Sequence, residues 1–171
     1  MAASLEKPRL RRRDEFLAAV ARSRRLHGRW ISAPATASEF SHYLKRLARP
    51  THAGYWVVTE KKELAGVITI SEIVRGSFRS GYLGYYALVP FHHQGYMTVG
   101  LRAVIRRAFG QLQLHRLEAN VQPANQASRK LIRRLGFRQE GLSPRYLKIA
   151  GRWRDHERWA LTVEDWRAAE S

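Results

Sequence analysis

The chain has 171 residues, 44% of them hydrophobic, and a formal net charge of +17. That size and composition suit one globular domain and argue against intrinsic disorder. With no cysteine, disulfides, thiolate metal sites and a cysteine nucleophile are excluded.

In chain order, Met1 to Arg13 is basic without an apolar core, so no secretory leader is expected. Asp14 to Leu26 reads as a helix. Asp14 and Glu15 suit its N-terminus, and Phe16, Leu17, Val20 and Ala21 make an apolar stripe. Ala33 to Thr36 is a loop, and Ser38 is expected to cap a second helix carrying Phe40, Tyr43, Leu44 and Leu47 on one face. Pro50 ends it. Tyr55 to Glu60 and Leu64 to Ile70 read as antiparallel strands around a Lys61-Lys62-Glu63 turn, and Arg75-Gly76-Ser77 is a loop.

Tyr82 to Val89 is an apolar strand, followed by Gln94-Gly95-Tyr96-Met97 and an amphipathic helix from Thr98 to Gln111. The helix turns Leu101, Val104, Ile105, Ala108 and Phe109 to one side. A strand, a glycine turn and a helix N-terminus together form an anion site, because the first-turn N–H groups and the positive dipole end both face the turn. The guest expected there is a phosphate-bearing cofactor. The turn is neither a Walker loop nor a dinucleotide fingerprint, since the further glycines and the Lys-Ser/Thr pair are missing.

Leu117, Ala119 and Val121 alternate with polar residues in a further strand, and Pro123 is expected to open a helix that stops at Gly136. Phe137 to Gly141, Tyr146 to Ile149 and Arg152 to Leu161 read as strands, and Asp165 to Ala169 as a last turn. This order predicts a single domain over 1–171, an α/β (α+β) layer fold. Its central sheet is mixed but largely antiparallel, with one parallel strand–helix–strand unit from Tyr82 to Val121.

Several of these pieces together resemble the GNAT family of acetyl-CoA-dependent N-acetyltransferases, above all the ribosomal-protein-alanine enzymes of the RimJ/RimL kind. They are Val74-Arg75-Gly76-Ser77-Phe78, Tyr82-Leu83-Gly84-Tyr85, the Gln94-Gly95 turn, His115-Arg116, Asn125, Leu135-Gly136-Phe137, Tyr146-Leu147 and Gly151 to His156. The resemblance implies acetyl-CoA as cofactor and a primary amine as acceptor. It puts the pantetheine against Leu88 and Val89, where two strands splay. The pyrophosphate goes on the N–H groups around His93, Gln94, Gly95, Tyr96, Met97 and Thr98. Asn125 is assigned to the pantetheine or thioester, and Arg129 to the adenosine phosphates. His92 stands where the family has Gln or Arg, and Met97 where it has a small residue. The first strand of the family is reduced here to Pro8-Arg9-Leu10-Arg11.

An amine that attacks a thioester needs orientation, an oxyanion donor and a proton for the leaving sulfur. The main chain near Leu88 or Val89 is the candidate oxyanion donor. Ser128 is the candidate proton donor, with Tyr146 as alternative. Glu72 and Glu118 are candidate bases, although Glu118 is expected to pair with an arginine. An α-amine gives up its proton near neutrality for under ~1 kcal/mol, whereas a lysine needs roughly 4 kcal/mol. Trp30, Tyr85, Tyr86 and Trp153 either line an acceptor cleft or pack in the core.

The seven histidines offer no metal-ligand spacing, and His92 and His93 are expected to point apart. The absence of a long apolar stretch excludes a membrane-spanning helix and suits the cytoplasm. The positive charge suits an acidic or RNA-rich partner such as the ribosome, but the basic residues are scattered and no aromatic-plus-basic RNA motif is visible. The acceptor is then a protein N-terminus, or alternatively a small amine such as a polyamine, antibiotic or amino-sugar. A non-catalytic RNA- or ribosome-binding protein is the reading of another class. Monomer and homodimer stay open.

Overall fold

A computed structural model describes residues 2–170. Seven strands form one sheet in the order β1-β2-β3-β4-β5-β7-β6. These are β1 (Ala3–Glu6), β2 (Ala53–Thr59), β3 (Leu64–Val74), β4 (Ser80–Ala87), β5 (Arg116–Val121), β6 (Arg138–Ile149) and β7 (Arg152–Thr162). Only β4 and β5 run parallel; the other pairs are antiparallel. The parallel pair needs a crossover, and α4 (Tyr96–Gly110) supplies it.

Successive residues of a strand face opposite sides, so a strand buried on both sides must be apolar throughout. β2 is nearly such a strand: all seven residues are buried, and only Thr59 at its end is polar. Its Val57 and Tyr55 join Ile68, Leu101, Val104 and Ile105 in the core beneath α4 and α5 (Gln126–Arg134). Its Trp56 and Val58 join Phe16, Phe40 and Tyr43 in a second core on the other face. That core lies under α1 (Arg13–Arg22) and α3 (Ala37–Leu47). Gly100 lets α4 come close to the sheet, since a Cβ there would sit 2.4 Å from Val57 Cγ2.

The layered fold is as expected, with differences in detail. The first strand is Ala3–Glu6, whose four residues pair with β2. Pro8-Arg9-Leu10-Arg11 instead enters a 3-10 turn at Leu10–Arg12. The expected helix over Asp14–Leu26 breaks at Ser23 into α1 and α2 (Arg24–His27). The Ser23 hydroxyl donates back to Ala19 O at 2.7 Å, a bond that bends helices. Thr36 rather than Ser38 caps α3. Its Oγ1 accepts from Glu39 N while Glu39 reaches back to Thr36 N, a full capping box.

Helix α5 begins after Asn125, not at Pro123. The two strands expected over Phe137–Gly141 and Tyr146–Ile149 are one strand, β6, interrupted by register shifts. The last element, α6, runs Val163–Glu170. No described helix is long and apolar enough to cross a membrane.

Candidate active site

β4 and β5 pair only from Ser80↔Arg116 to Tyr82↔Glu118. Beyond Tyr82, β4 stays with β3 and β5 stays with β7, so the two splay and leave an open edge on β4. Strand geometry decides which amides face that gap, because neighbouring residues turn their N–H and C=O to opposite edges. The Leu88 N–H donates to Ala65 O on the β3 side at 2.9 Å, and the Leu88 carbonyl accepts from Phe91 N. The Val89 N–H donates to Ser23 Oγ at 2.9 Å. The main-chain donors of Leu88 and Val89, expected to hold the pantetheine and the oxyanion, are therefore committed inside the protein. Strand parity gives the gap to Ala87, whose carbonyl already accepts from His27 Nε2 at 2.9 Å. His27 is buried, and burial lowers its pKa, which keeps the ring neutral.

The turn before α4 forms the other end of the site. Gly95 is its N-cap at φ +84°, a left-handed conformation natural to glycine. His93 is also left-handed, at φ +59°. No side chain caps the helix and its first turn holds no acid, so the N–H groups of Tyr96, Met97 and Thr98 face the turn without an intrahelical acceptor. Gln94 stiffens the loop by donating to Pro90 O at 2.8 Å, and the Tyr96 ring packs edge-on against Phe91. His92 and His93 do not point apart; their rings meet at 5.1 Å, because the left-handed His93 folds the turn back. His92 Nδ1 is buried with no hydrogen-bond partner in the protein.

Splayed strands and turn open into one cleft of about 600 Å³. His92, His93, Gly95, Met97 and Thr98 line one part of it, and Asn125, Ser128, Lys130 and Arg134 line another. Trp30, Tyr85 and Tyr86 give it aromatic walls, whereas Trp153 is 61% exposed on the β6–β7 hairpin. Gln122 fixes the Trp30 segment, with Nε2 donating to the carbonyls of Arg29 and Trp30. No aspartate or glutamate is among the described lining residues.

Within the cleft, Tyr85 Oη and Ser128 Oγ lie 2.7 Å apart. Burial pushes the Tyr85 phenol up to about 12, so it keeps its proton near neutrality. Asn125 Oδ1 accepts from Ser128 N at 3.2 Å, which caps α5 and fixes the Ser128 backbone. That leaves the Asn125 amide nitrogen for the cleft.

Three expected residues stand elsewhere. Arg129 donates to Glu157 at 2.9 Å and to Gln126 and does not line the cleft, whereas the exposed Lys130 and Arg134, four residues apart, do. Glu72 lies at the closed end of the β3–β4 pair, with its side chain 69% exposed and 3.9 Å from His52 Nε2. Tyr146 shares a hydrogen bond with Tyr82, which helps raise the Tyr82 phenol to about 12, and its ring tilts against His156. Glu118 accepts from Arg116 Nε at 2.9 Å, the arginine pairing expected of it. Among the described residues no three His, Asp or Glu side chains group to hold a metal.

Ala87, His27, Lys130 and Arg134 had no sequence signal of their own. The first two depend on strand parity and on the α2 break. The last two depend on the rotation of α5, which the four-residue spacing hints at.

Residues 4–138 match the family model for the acetyltransferase (GNAT) domain. The chain is 44% identical over 107 residues to the [ribosomal protein uS5]-alanine N-acetyltransferase of Escherichia coli, covering 63% of this chain and 55% of that protein. It thus spans about half the length of that curated relative. It is 32% identical over 126 residues to the "Probable N-acetyltransferase YjcK" of Bacillus subtilis, covering 73% and 70% of the two chains. Among solved structures, RimJ of Mycobacterium smegmatis in complex with CoA-disulfide superposes with a TM-score of 0.86 at 27% identity, over 95% of this chain and 83% of that one. The spermidine N-acetyltransferase of Vibrio cholerae, in complex with CoA and spermine, shares the fold at 19% identity and a TM-score of 0.82, over 96% and 98% of the chains. With its splayed β4–β5 edge and uncapped α4 turn inside the matched span, the chain belongs to the GNAT acetyltransferase family.

Proposed function

We propose that this chain transfers an acetyl group from acetyl-CoA to the α-amine of a protein N-terminus, with a ribosomal protein as the acceptor class. The observation that carries the reading is one cleft joining an uncapped helix N-terminus to the Tyr85–Ser128 hydroxyl pair. The relative that acetylates the alanine of ribosomal protein uS5 supports the acceptor class.

The residues divide the work. The free N–H groups at the start of α4 take the pyrophosphate, and Lys130 and Arg134 add positive charge in the same cleft. His92 Nδ1, buried and unpartnered, suits a polar atom of the same guest. The Ala87 N–H on the open β4 edge faces the gap where the carbonyl oxygen gains charge. The amine nitrogen bonds the acetyl carbon as the carbon–sulfur bond breaks, and the amine sheds a proton to water. Tyr85 donates to Ser128 Oγ, which leaves the Ser128 hydrogen free to pass to the departing sulfur, and the proton that the amine shed to water returns to Ser128 Oγ.

The lack of a carboxylate among the described lining residues favours the α-amine over a polyamine. A polycation would want acidic walls, and its amines, like lysine, hold their protons to about pH 10. An α-amine near pKa ~8 needs no strong base at neutrality.

The test is incubation with acetyl-CoA and ribosomes or alanine-initiated peptides, followed by mass spectrometry. New acetylated N-termini are expected. Acetyl groups found only on spermidine or on lysine side chains would overturn the reading.

A further inference from the structure

The cleft passes through the gap between β4 and β5. Thr98 and Ser128 line it on the side of α4 and α5, whereas His27, Trp30 and Tyr86 line it on the side of α1–α3. With the pyrophosphate seat on the first side, the second side is left for the acceptor. Strand parity shows what an acceptor meets there. Trp159 and Leu161 join the core under α5, so Arg152, Arg154, His156 and Arg158 of β7 face the second side. Asn120, at the gap, is the direct cross-strand partner of Arg158. Tyr146 lies over the same face, tilted against His156 and hydrogen-bonded to Tyr82. Asn120 Oδ1 and Arg154 Nε are buried on it without a hydrogen-bond partner.

Charge around this mouth has one sign. Glu118 and Glu140, toward the closed end of the β4–β5 pair, are already held by Arg116 and Arg138. Asp155 and Glu157 have the opposite parity and face the other side. The facing rim, residues 16–38, carries Arg22, Arg24, Arg25 and Arg29 and no acid. Gln122 ties the carbonyls of Arg29 and Trp30 to the end of β5, and the exposed Arg29 guanidinium sits 4.8 Å from the Trp30 ring centre.

We propose that this face receives an acidic segment directly behind the acceptor's α-amine, so that early carboxylates, as well as the amine, select the acceptor. This rests on the α-amine reading above. Charge complementarity names the occupant: Arg29 on one rim and Arg154 and Arg158 on the other take carboxylates, and a polyamine would meet like charge. Asn120 Oδ1 accepts an N–H of the entering peptide. Arg158 and Arg154 are four residues apart, about 13 Å at ~3.3 Å per residue, a span that about four extended acceptor residues cover.

The experiment is fluorescence anisotropy with peptides of about eight residues, long enough to cross the strip, each with a first alanine, a free α-amine and a C-terminal label. The full chain is saturated with CoA, which has no acetyl group to transfer. One peptide carries glutamates behind its first residues, a second glutamines and a third lysines. The glutamate peptide is expected to bind about five-fold or more tighter than the glutamine one, the lysine peptide weakest, and added salt to narrow the spread. Arg154→Gln/Arg158→Gln should remove most of the glutamate preference and leave the glutamine peptide unchanged. Arg11→Gln/Arg49→Gln, which removes two cations on the β1–β2 side of the sheet, should leave the preference intact. Thermal melting checks that each variant folds, and the peptide series tests the strip without any variant.

Equal affinity for the glutamate and glutamine peptides, or equal losses from the two arginine pairs, would overturn the strip. The acceptor reading fails separately. A glutamate peptide that binds through Arg154 and Arg158, yet gains no acetyl group from acetyl-CoA, would support the strip and overturn the α-amine as acceptor.

Discussion

Replacing Ser128 by alanine removes the proposed proton donor to sulfur and little else. General acid catalysis of this kind contributes typically 10²–10⁴-fold, so kcat near neutrality should fall by about that factor. That is roughly 3–5 kcal/mol at 1.36 kcal/mol per decade. Tyr85→Phe keeps the serine proton but frees its rotor by deleting the 2.7 Å bond. A neutral hydrogen bond is worth about 0.5–1.5 kcal/mol, so kcat should fall only about 2- to 13-fold. The two losses should not add, because the phenol acts through the serine. A thiol-reactive dye reads released CoA directly, since the chain has no cysteine to react. The pH profile separates chemistry from packing. A thiol of pKa ~8.5 leaves unaided once pH exceeds that value, so the Ser128→Ala deficit should shrink at alkaline pH. The CoA dissociation constant, measured by calorimetry, should stay near wild type. A Ser128→Ala enzyme within about three-fold of wild type near neutrality, or a deficit that does not change with pH, would refute the assignment.

Gly95→Ala forces an L residue into φ +84° and should cost about 1–2 kcal/mol, lowering the melting temperature a few degrees and weakening CoA binding in calorimetry. Gly100→Ala drives a methyl onto Val57 at 2.4 Å and should cost about 1–3 kcal/mol by denaturant unfolding. Thr36→Ala removes the capping box and should cost about 1 kcal/mol, a drop of ~2–4 °C, with kcat unchanged. His27 and His52 both have pKa values lowered chiefly by burial. The folded state then binds fewer protons than the unfolded one below the unfolded value of ~6.5. Their contribution is full above that value and is lost as pH falls through the folded pKa. Melting temperature should drop over that window, and His27→Gln, which can still donate to Ala87 O without titrating, should lessen the drop.

What the sequence disclosed and what it withheld divide along physical lines. Periodicity is local, so α4, β2, β3 and the parallel β4–α4–β5 unit were all legible from apolar spacing. The glycine turn was legible too, because a glycine before an amphipathic helix is a local signal and Gly95 does adopt the left-handed cap. Errors entered where a side chain chose a partner far along the chain. Ser23 reads as an ordinary helix serine, yet its hydroxyl serves both Ala19 and Val89, which breaks the helix and removes Val89 from the site. Thr36 wins the cap from Ser38 because Glu39 lies three residues on, a box that spacing alone could have revealed.

Parity explains the largest displacement in the site. Leu88 lies one position beyond the amide that faces the gap, whereas Val89, two beyond, has the parity of the gap and donates to Ser23 instead. In a strand a shift of one residue exchanges the edge that pairs with β3 for the edge that a ligand can reach. The same logic moved the cations. Arg129 and Lys130 are neighbours in sequence but lie about 100° apart around a helix of 3.6 residues per turn. Arg129 therefore neutralises buried Glu157 while Lys130 and Arg134 enter the cleft. A motif thus pointed to within a residue or two of the groups that line the cleft. The chemistry within it turned on rotations that only the paired strands and the docked helix impose.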